Sequence, residues 1–123
     1  MCFDVGQWRE PALLRKHVPG PFDRRDEVIQ KSRRRSMYFP GINVADTERK
    51  AIDGGVYLAQ ANAVTIHKVF EFTEDMGASE GERSRWLLVE STAGAYHGYP
   101  ITAKKFREWM KQTRECCDER PRD

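Results

Sequence analysis

Long hydrophobic runs are absent from this sequence. No stretch reaches the roughly 18 consecutive apolar residues that mark a membrane-spanning helix. The opening residues, MCFDVGQWRE, also lack the basic flank and apolar core of a secretory signal. These two absences argue against a membrane partner and predict a cytoplasmic protein.

Cysteine is scarce and poorly placed for cross-linking. The three cysteines are Cys2 and the adjacent pair Cys116 and Cys117. An odd number with two neighbours does not make a disulfide framework, and free thiols fit a reducing compartment. Neither a C-x-x-C nor an H-x-x-x-H motif is present, so the sequence predicts no metal site and no cofactor.

A large charge of one sign is lacking as well. The net charge is +2, from 21 basic and 19 acidic side chains. Residues 1–40 carry nine basic and five acidic side chains, whereas residues 41–90 carry five and nine. A general coat for nucleic acid would have a larger excess of basic residues, so this balance leaves room only for a local basic patch.

The second half of the chain has the patterns of a sheet. Residues 56–72 are rich in β-branched and aromatic side chains and alternate in polarity from Val64 to Phe72, which predicts a strand segment that a turn at AQAN could divide in two. Residues 85–91, RWLLVES, are apolar on both faces and predict a central strand. The following YHGYPI predicts an edge strand or a strand end, because Pro100 cannot donate to a ladder. The acidic stretch 73–83 is predicted to be a loop.

A helix is predicted after these strands. Thr102 is a natural N-cap for the segment AKKFREWMKQTRECC. Phe106, Trp109 and Met110 share one helical stripe and are expected to pack against Leu87 and its neighbours.

Together these elements predict a single α+β domain. Residues 55–117 are expected to form a mainly antiparallel sheet of three to five strands, with the C-terminal amphipathic helix packed on one face. Residues 1–54 are expected to form an irregular N-terminal arm with short helices, one of them at residues 23–35 with Asp23 as its cap. Residues 118–123 are expected to be a polar tail.

Two short basic segments are candidate phosphate contacts. Their cations are Lys31, Arg33, Arg34, Arg35, Lys104 and Lys105. Guanidinium groups bind phosphate in a bidentate manner, which makes nucleic acid a possible partner. The alternative is a solvated helix end whose charges complement the helix dipole or pair with the acidic residues 71–82. The two interpretations differ in whether both segments lie on one face.

Two further groups of residues are candidate binding sites. Tyr96, His97 and Tyr99 are placed to stack on bases or line a small pocket, although cross-strand packing is the alternative. His67 and Glu71 share one face of a predicted strand and are candidates for a pocket or a His–Glu base, although a surface pair is the alternative. No catalytic residue is assigned from the sequence.

Three functions follow, in order of expectation. The first is a small non-enzymatic interaction module that binds a protein partner or a second copy of itself, because segregated charge favours oriented association and small sheets expose edges. The second is nucleic-acid binding through residues 31–35 and 104–105, with Tyr96 and Tyr99 stacking. The third is a small-ligand or enzymatic pocket around His67 and His97.

Overall fold

The structure of the protein is a computed structural model. It describes residues 10–11, 17–20, 22–54, 57–60, 65–92, 94–112 and 114–115. The three cysteines, the predicted tail at residues 118–123 and most of the first 16 residues lie outside these ranges.

The described residues form nine strands and three helices, with six consecutive strands between the second and third helices. In order they are β1 (Glu10–Pro11), α1 (Arg25–Lys31), β2 (Met37–Tyr38), α2 (Val44–Asp53), β3 (Tyr57–Gln60), β4 (Thr65–Glu71), β5 (Gly77–Ser79), β6 (Glu82–Ser84), β7 (Trp86–Thr92), β8 (Ala95–Ile101), α3 (Ala103–Met110) and β9 (Arg114–Glu115). None of the described helices is long and apolar enough to cross a membrane.

The main sheet has the strand order β1-β8-β7-β4-β3-β9. Its pairs are antiparallel except for β1, which runs parallel to β8. The predicted α+β class is confirmed, with β7 inside the sheet. The two-residue strands β1 and β9 lie at its edges and bring the strands to six, one more than the upper limit predicted.

A second, three-stranded sheet in the order β2-β5-β6 lies where the sequence predicted a loop at residues 73–83. That prediction was wrong because the stretch contains a tight hairpin: Ser79 pairs with Glu82, which leaves Glu80 and Gly81 as the turn. Both turn residues have positive φ, at 53° and 82°, as the common two-residue hairpin turn requires. Glutamate rarely adopts this conformation, so the turn gave little signal in the sequence.

The two faces of the main sheet are covered by different helices. On one face α2 packs over β4 and β7, with Ala51 and Ile52 against Leu87 and Val89. On the other face α3 packs over the same two strands. Trp109 and Met110 of α3 are half-buried against a cluster of Val69, Leu88 and Ile101. They therefore contact the immediate neighbour of Leu87 rather than Leu87 itself, which faces α2.

The buried carboxylate of Glu48 links α2 to β2 and β8. Oε2 of Glu48 accepts hydrogen bonds from the Tyr38 hydroxyl and from the Gly98 backbone N–H, each at 2.9 Å. Burial raises the pKa of Glu48 despite these donors. The bonds hold β2 and β8 to α2, so this carboxylate has a structural role.

Candidate functional site

The basic segment 31–35 lies in a turn that is tied to the second sheet. Helix α1 ends at Lys31, and Ser32 caps it. The buried Ser32 also accepts the Glu80 N–H at its carbonyl and the Gly81 N–H at its hydroxyl, both at 2.9 Å. The predicted helix at residues 23–35 is therefore shorter than expected, and the arginines that follow are exposed on a fixed turn.

The sequence predicted Asp23 as the cap of α1, but Arg24 occupies the N-cap position. The Asp23 carboxylate instead accepts from Lys31 Nζ at 2.9 Å and from the Gly20 N–H at 2.8 Å. These bonds lower the pKa of Asp23. The carboxylate therefore stays ionised and offsets part of the charge of Lys31.

The two predicted basic segments meet at one surface. A cavity of about 670 Å³ is lined by Lys31 and by the three arginines, with Val18, Gly20, Asp23, Gln30 and Met37. A second cavity of about 320 Å³ is lined by the same arginines and by Lys105 from α3, with Ser32, Ser36, Ser79 and Glu80. We call the joint surface, whose cations are Lys31, Arg33, Arg34, Arg35 and Lys105, the basic groove.

The charge of the basic groove is strongly positive. Its five cations face two carboxylates, those of Asp23 and Glu80. Lys105 Nζ lies 3.7 Å from Glu80, but both side chains are more than half exposed, so this ion pair holds neither group firmly. Lys104 is exposed on α3 but lines neither cavity. It is the one predicted cation that the structure leaves outside the groove.

An exposed aromatic ring is close in sequence to residues that line the groove. Phe22 is 92% exposed and stands between Gly20 and Asp23, which both line the larger cavity. Val18, in the same segment, is 44% exposed and lines the cavity as well. Phe22 was not among the candidate residues predicted from the sequence. Its signal was the run PGPF, a turn that presents an apolar ring with no hydrophobic periodicity around it.

Tyr96 does not share a surface with His97 and Tyr99, so the predicted three-residue surface was wrong. Successive side chains of a strand point to opposite faces. Tyr96 is 4% exposed beneath α2, where the Arg49 guanidinium donates to its hydroxyl at 3.2 Å. His97 and Tyr99 lie on the face that α3 covers, and their rings stack with centroids 5.9 Å apart.

The partner of His67 is Glu90 and not Glu71. His67 Nε2 lies 3.0 Å from Glu90 Oε2, and His97 Nε2 lies 2.9 Å from Glu90 Oε1. The strand register places these three residues directly opposite one another across β4, β7 and β8. Glu71, at the end of β4, pairs with Arg85 at 2.9 Å instead. We call His67, Glu90 and His97 the carboxylate-bridged histidine pair.

The electrostatics of this pair fix its hydrogen bonding. The hydrogen bonds from His67 and His97 hold the pKa of Glu90 far below its ordinary value, against the effect of burial. An ionised carboxylate only accepts, so both histidines donate through Nε2–H. Burial, with a smaller contribution from the charge of Glu90, raises the pKa of Tyr99 to about 12, so this phenol stays neutral.

Aromatic rings enclose the pair on both sides. The indole of Trp109 lies 4.5 Å from the His67 ring, and the His67 Nδ1 atom is buried with no hydrogen-bond partner among the described residues. On the other side the His17 ring stacks on Tyr99 at 5.0 Å and on His97 at 6.3 Å. His17 Nδ1 donates to the Ser36 carbonyl at 2.7 Å. Because Ser36 lines the basic groove, His17 connects the groove to the pair.

The stability of the fold is expected to depend on Glu90 in acid. Its folded-state pKa is lowered, so its contribution to stability is present above the ordinary value of 4.5 and is lost as the pH falls below it. Between about pH 5 and pH 3, the wild-type protein should lose about 1 kcal/mol more unfolding free energy than Glu90→Gln. Urea unfolding at each pH measures this difference. Glu71→Gln, on the exposed Arg85 pair, is the control and should behave like the wild type.

Residues 77–81 read GASEG, which matches the letters of a nucleophile elbow, G-x-S-x-G. The structure gives them another role. Ser79 is 3% exposed in β5, and its hydroxyl hydrogen-bonds that of Ser36 at 2.9 Å. A nucleophile elbow needs a strand-to-helix turn with an exposed serine, whereas this strand leads into a hairpin. The motif is therefore a coincidence of letters.

Within the described ranges, no group of three or more His, Cys, Asp or Glu side chains is arranged to hold a metal ion. No protein family, curated protein or solved structure matches the chain. The basic groove and the carboxylate-bridged histidine pair are therefore the two candidate sites, and their geometry is the basis for any functional assignment.

Proposed function

We propose that the protein binds single-stranded nucleic acid in the basic groove. Arg33, Arg34, Arg35 and Lys105 contact phosphates, and Phe22 stacks on a base. The observation that carries the proposal is that Lys105, from the start of α3, lines one cavity with arginines from the turn after α1. If the arginines only complemented the dipole of α1, their position beside a basic residue of α3 would be unexplained.

The chemistry of the groove suits a phosphate backbone. Guanidinium groups present a planar fork of donors that matches phosphate oxygens, and Lys105 adds a point charge beside them. The turn that carries the arginines is held because the carbonyl and the hydroxyl of Ser32 accept hydrogen bonds from Glu80 and Gly81, so the positions of the arginines are partly set before a ligand arrives. Preorganised cations lose less entropy on binding than cations on a free chain.

The exposed ring of Phe22 favours a single strand over a duplex. Proteins that bind single strands combine a positive groove with aromatic rings on which unpaired bases stack. A duplex keeps its bases stacked on one another, so an exposed phenyl ring has nothing to stack on. Phe22 takes the place of Tyr96 and Tyr99 in the original hypothesis, because those rings are covered by α2 and by the His17 side chain.

A protein partner or a second copy of the chain is the alternative proposal. The same Phe22 and Val18 favour it, because exposed apolar side chains also mark protein contacts. In that case the groove cations serve to orient an acidic partner. A cytoplasmic location, which the cysteines of the sequence predict, belongs to both proposals.

Substitution of Phe22 separates the two proposals. Phe22→Ser should weaken binding of a fluorescently labelled single-stranded DNA oligonucleotide by about 5- to 100-fold, the effect of losing one base–aromatic stack. Val18→Ser is the matched control: it removes an exposed side chain from the same segment that has no π face, and it should change affinity less than about 3-fold. Fluorescence anisotropy at low salt provides both affinities.

Three outcomes decide the matter. A strong effect of Phe22→Ser alone supports stacking. Equal losses for both variants would contradict stacking. If the wild type does not bind the oligonucleotide but sediments as a dimer that both variants dissociate, the interaction module replaces nucleic-acid binding.

A further inference from the structure

We propose that His97 is the general base of a ribonucleolytic site that cleaves an RNA strand held in the basic groove. Glu90 and His67 are positioning residues that orient it. This inference rests on the proposed function, because it takes the bound strand as its substrate. It concerns side chains on the far side of His17 from the groove, and these take no part in binding phosphates.

The tautomer of His97 is set by its hydrogen bond to Glu90. Its Nε2 lies 2.9 Å from a carboxylate oxygen of Glu90 and therefore carries the proton. In the neutral ring the basic lone pair is then on Nδ1, which makes no hydrogen bond with the described part of the chain. The His97 side chain is 20% exposed. A partly exposed imidazole that a carboxylate orients, with no partner for its basic nitrogen among the described residues, is the arrangement of a general base.

The Glu90 carboxylate is held rigidly by two histidines. Both Glu90 oxygens are engaged, one by His97 and the other by His67. His67 is 5% exposed and is covered by the Trp109 ring. Burying the His67 Nδ1 atom with no hydrogen-bond partner among the described residues costs free energy. Packing alone does not explain this cost, whereas the bond from His67 to Glu90 does. The arrangement keeps Glu90 from rotating away when the His97 ring becomes an imidazolium.

His17 links the carboxylate-bridged histidine pair to the groove. The Ser36 carbonyl accepts from His17 at 2.7 Å, and the His17 ring stacks against Tyr99 and His97. One residue further along, Val18 lines the larger cavity. The His17 side chain therefore spans from Ser36 at the edge of the groove to the His97 ring.

RNA is the substrate class because it contains its own nucleophile. Nδ1 of His97 takes the proton of a 2′-hydroxyl, the 2′ oxygen forms a bond to phosphorus, and the bond between phosphorus and the 5′ oxygen breaks. The 5′ oxygen takes a proton from solvent, and the imidazolium returns its proton to solvent. The products are a 2′,3′-cyclic phosphate and a 5′-hydroxyl, with no oxidant or reductant.

The test uses a DNA oligonucleotide that carries a single ribonucleotide, in the presence of EDTA. We expect cleavage at that ribonucleotide alone, with a 2′,3′-cyclic phosphate detected by mass spectrometry. His97→Ala should lower the rate by about 100-fold or more, the usual effect of losing a general base, and added imidazole should restore part of it. Its affinity for an all-DNA oligonucleotide should stay within about 2-fold of the wild type, which also shows that the variant folds.

Glu90→Gln tests the positioning role. It should lower kcat by about 10-fold or more and leave KM unchanged, because it touches no substrate. Glu71→Gln makes the same chemical change on the neighbouring strand, outside the pair, and should leave kcat unchanged. Equal losses in the two variants would contradict a specific role for Glu90.

The failures of the two proposals are distinguishable. Binding of the chimeric strand without cleavage overturns the catalytic inference and leaves nucleic-acid binding intact. Cleavage of an RNA dinucleotide at millimolar concentration that depends on His97, without binding of any oligonucleotide, supports the base and overturns binding in the groove. Cleavage that His97→Ala does not reduce overturns the assignment of the base.

Discussion

Replacing Arg34 and Lys105 together by glutamate is expected to lower the affinity for a single-stranded oligonucleotide by roughly 100- to 1000-fold. Each substitution changes the local charge by two units, and one unit charge at 4 Å from a phosphate is worth about 1 kcal/mol in water. The two residues belong to different elements but line the same cavity. Their effects should therefore combine in one binding event, which anisotropy titration at constant salt measures.

The matched control for this pair lies on α3 and at its C-cap. Arg107 and Lys111 are exposed but line neither cavity of the groove. Substituting both by glutamate makes the same change in net charge, and it should weaken binding less than about 10-fold through long-range screening alone. If the two double variants lose affinity equally, net charge rather than the groove governs binding.

Gly77→Ala is expected to lower the free energy of unfolding strongly. A Cβ atom at this position would lie 2.4 Å from the Met37 carbonyl oxygen and 2.6 Å from Pro100 Cγ. Neither neighbour moves easily, because Met37 is in β2 and Pro100 is fixed within β8. Gly77→Ala should therefore destabilise the protein by about 3 kcal/mol or more, at the upper end of overpacking effects. Thermal unfolding should show a loss of roughly 10 °C.

Gly98→Ala is the appropriate comparison for Gly77→Ala. A Cβ atom there would meet Tyr38 Oη at 3.1 Å, and Glu48 Cγ and Val89 Cγ2 at 3.2 Å. These are side-chain atoms, and a shift of a few tenths of an ångström relieves them. We expect a loss of about 1 kcal/mol, smaller than at Gly77. A tolerated Gly77→Ala would show that the two sheets do not meet as the structure describes.

The regular elements of the second half were predictable because local patterns encode them. The alternation around His67 and the two apolar faces of residues 86–89 predicted β4 and β7 correctly. Thr102 is the N-cap of α3 as expected, and its side chain accepts the Lys105 N–H at 3.1 Å. The hairpin at Glu80 and Gly81 was missed because its first turn residue adopts a conformation that its type disfavours.

The candidate sites were predictable only in part. Residue types and local charge density selected the arginines of the basic groove, but sequence spacing does not reveal that Lys105 lies beside them. His67 and His97 were both selected, and their shared partner Glu90 was not. Strand register decides that partner, and register depends on pairing across three strands rather than on neighbours in the chain.

The most direct measurement of the central claim is the salt dependence of oligonucleotide binding. For a single strand, the logarithm of the binding constant falls with the logarithm of salt concentration by about 0.7 for each phosphate neutralised. Four or five groove cations therefore predict a slope near −3, and Lys105→Gln should reduce its magnitude by about 0.7, whereas Lys111→Gln should leave it unchanged. A slope near zero, or equal changes in the two variants, would contradict a phosphate-binding groove formed jointly by the turn after α1 and the start of α3.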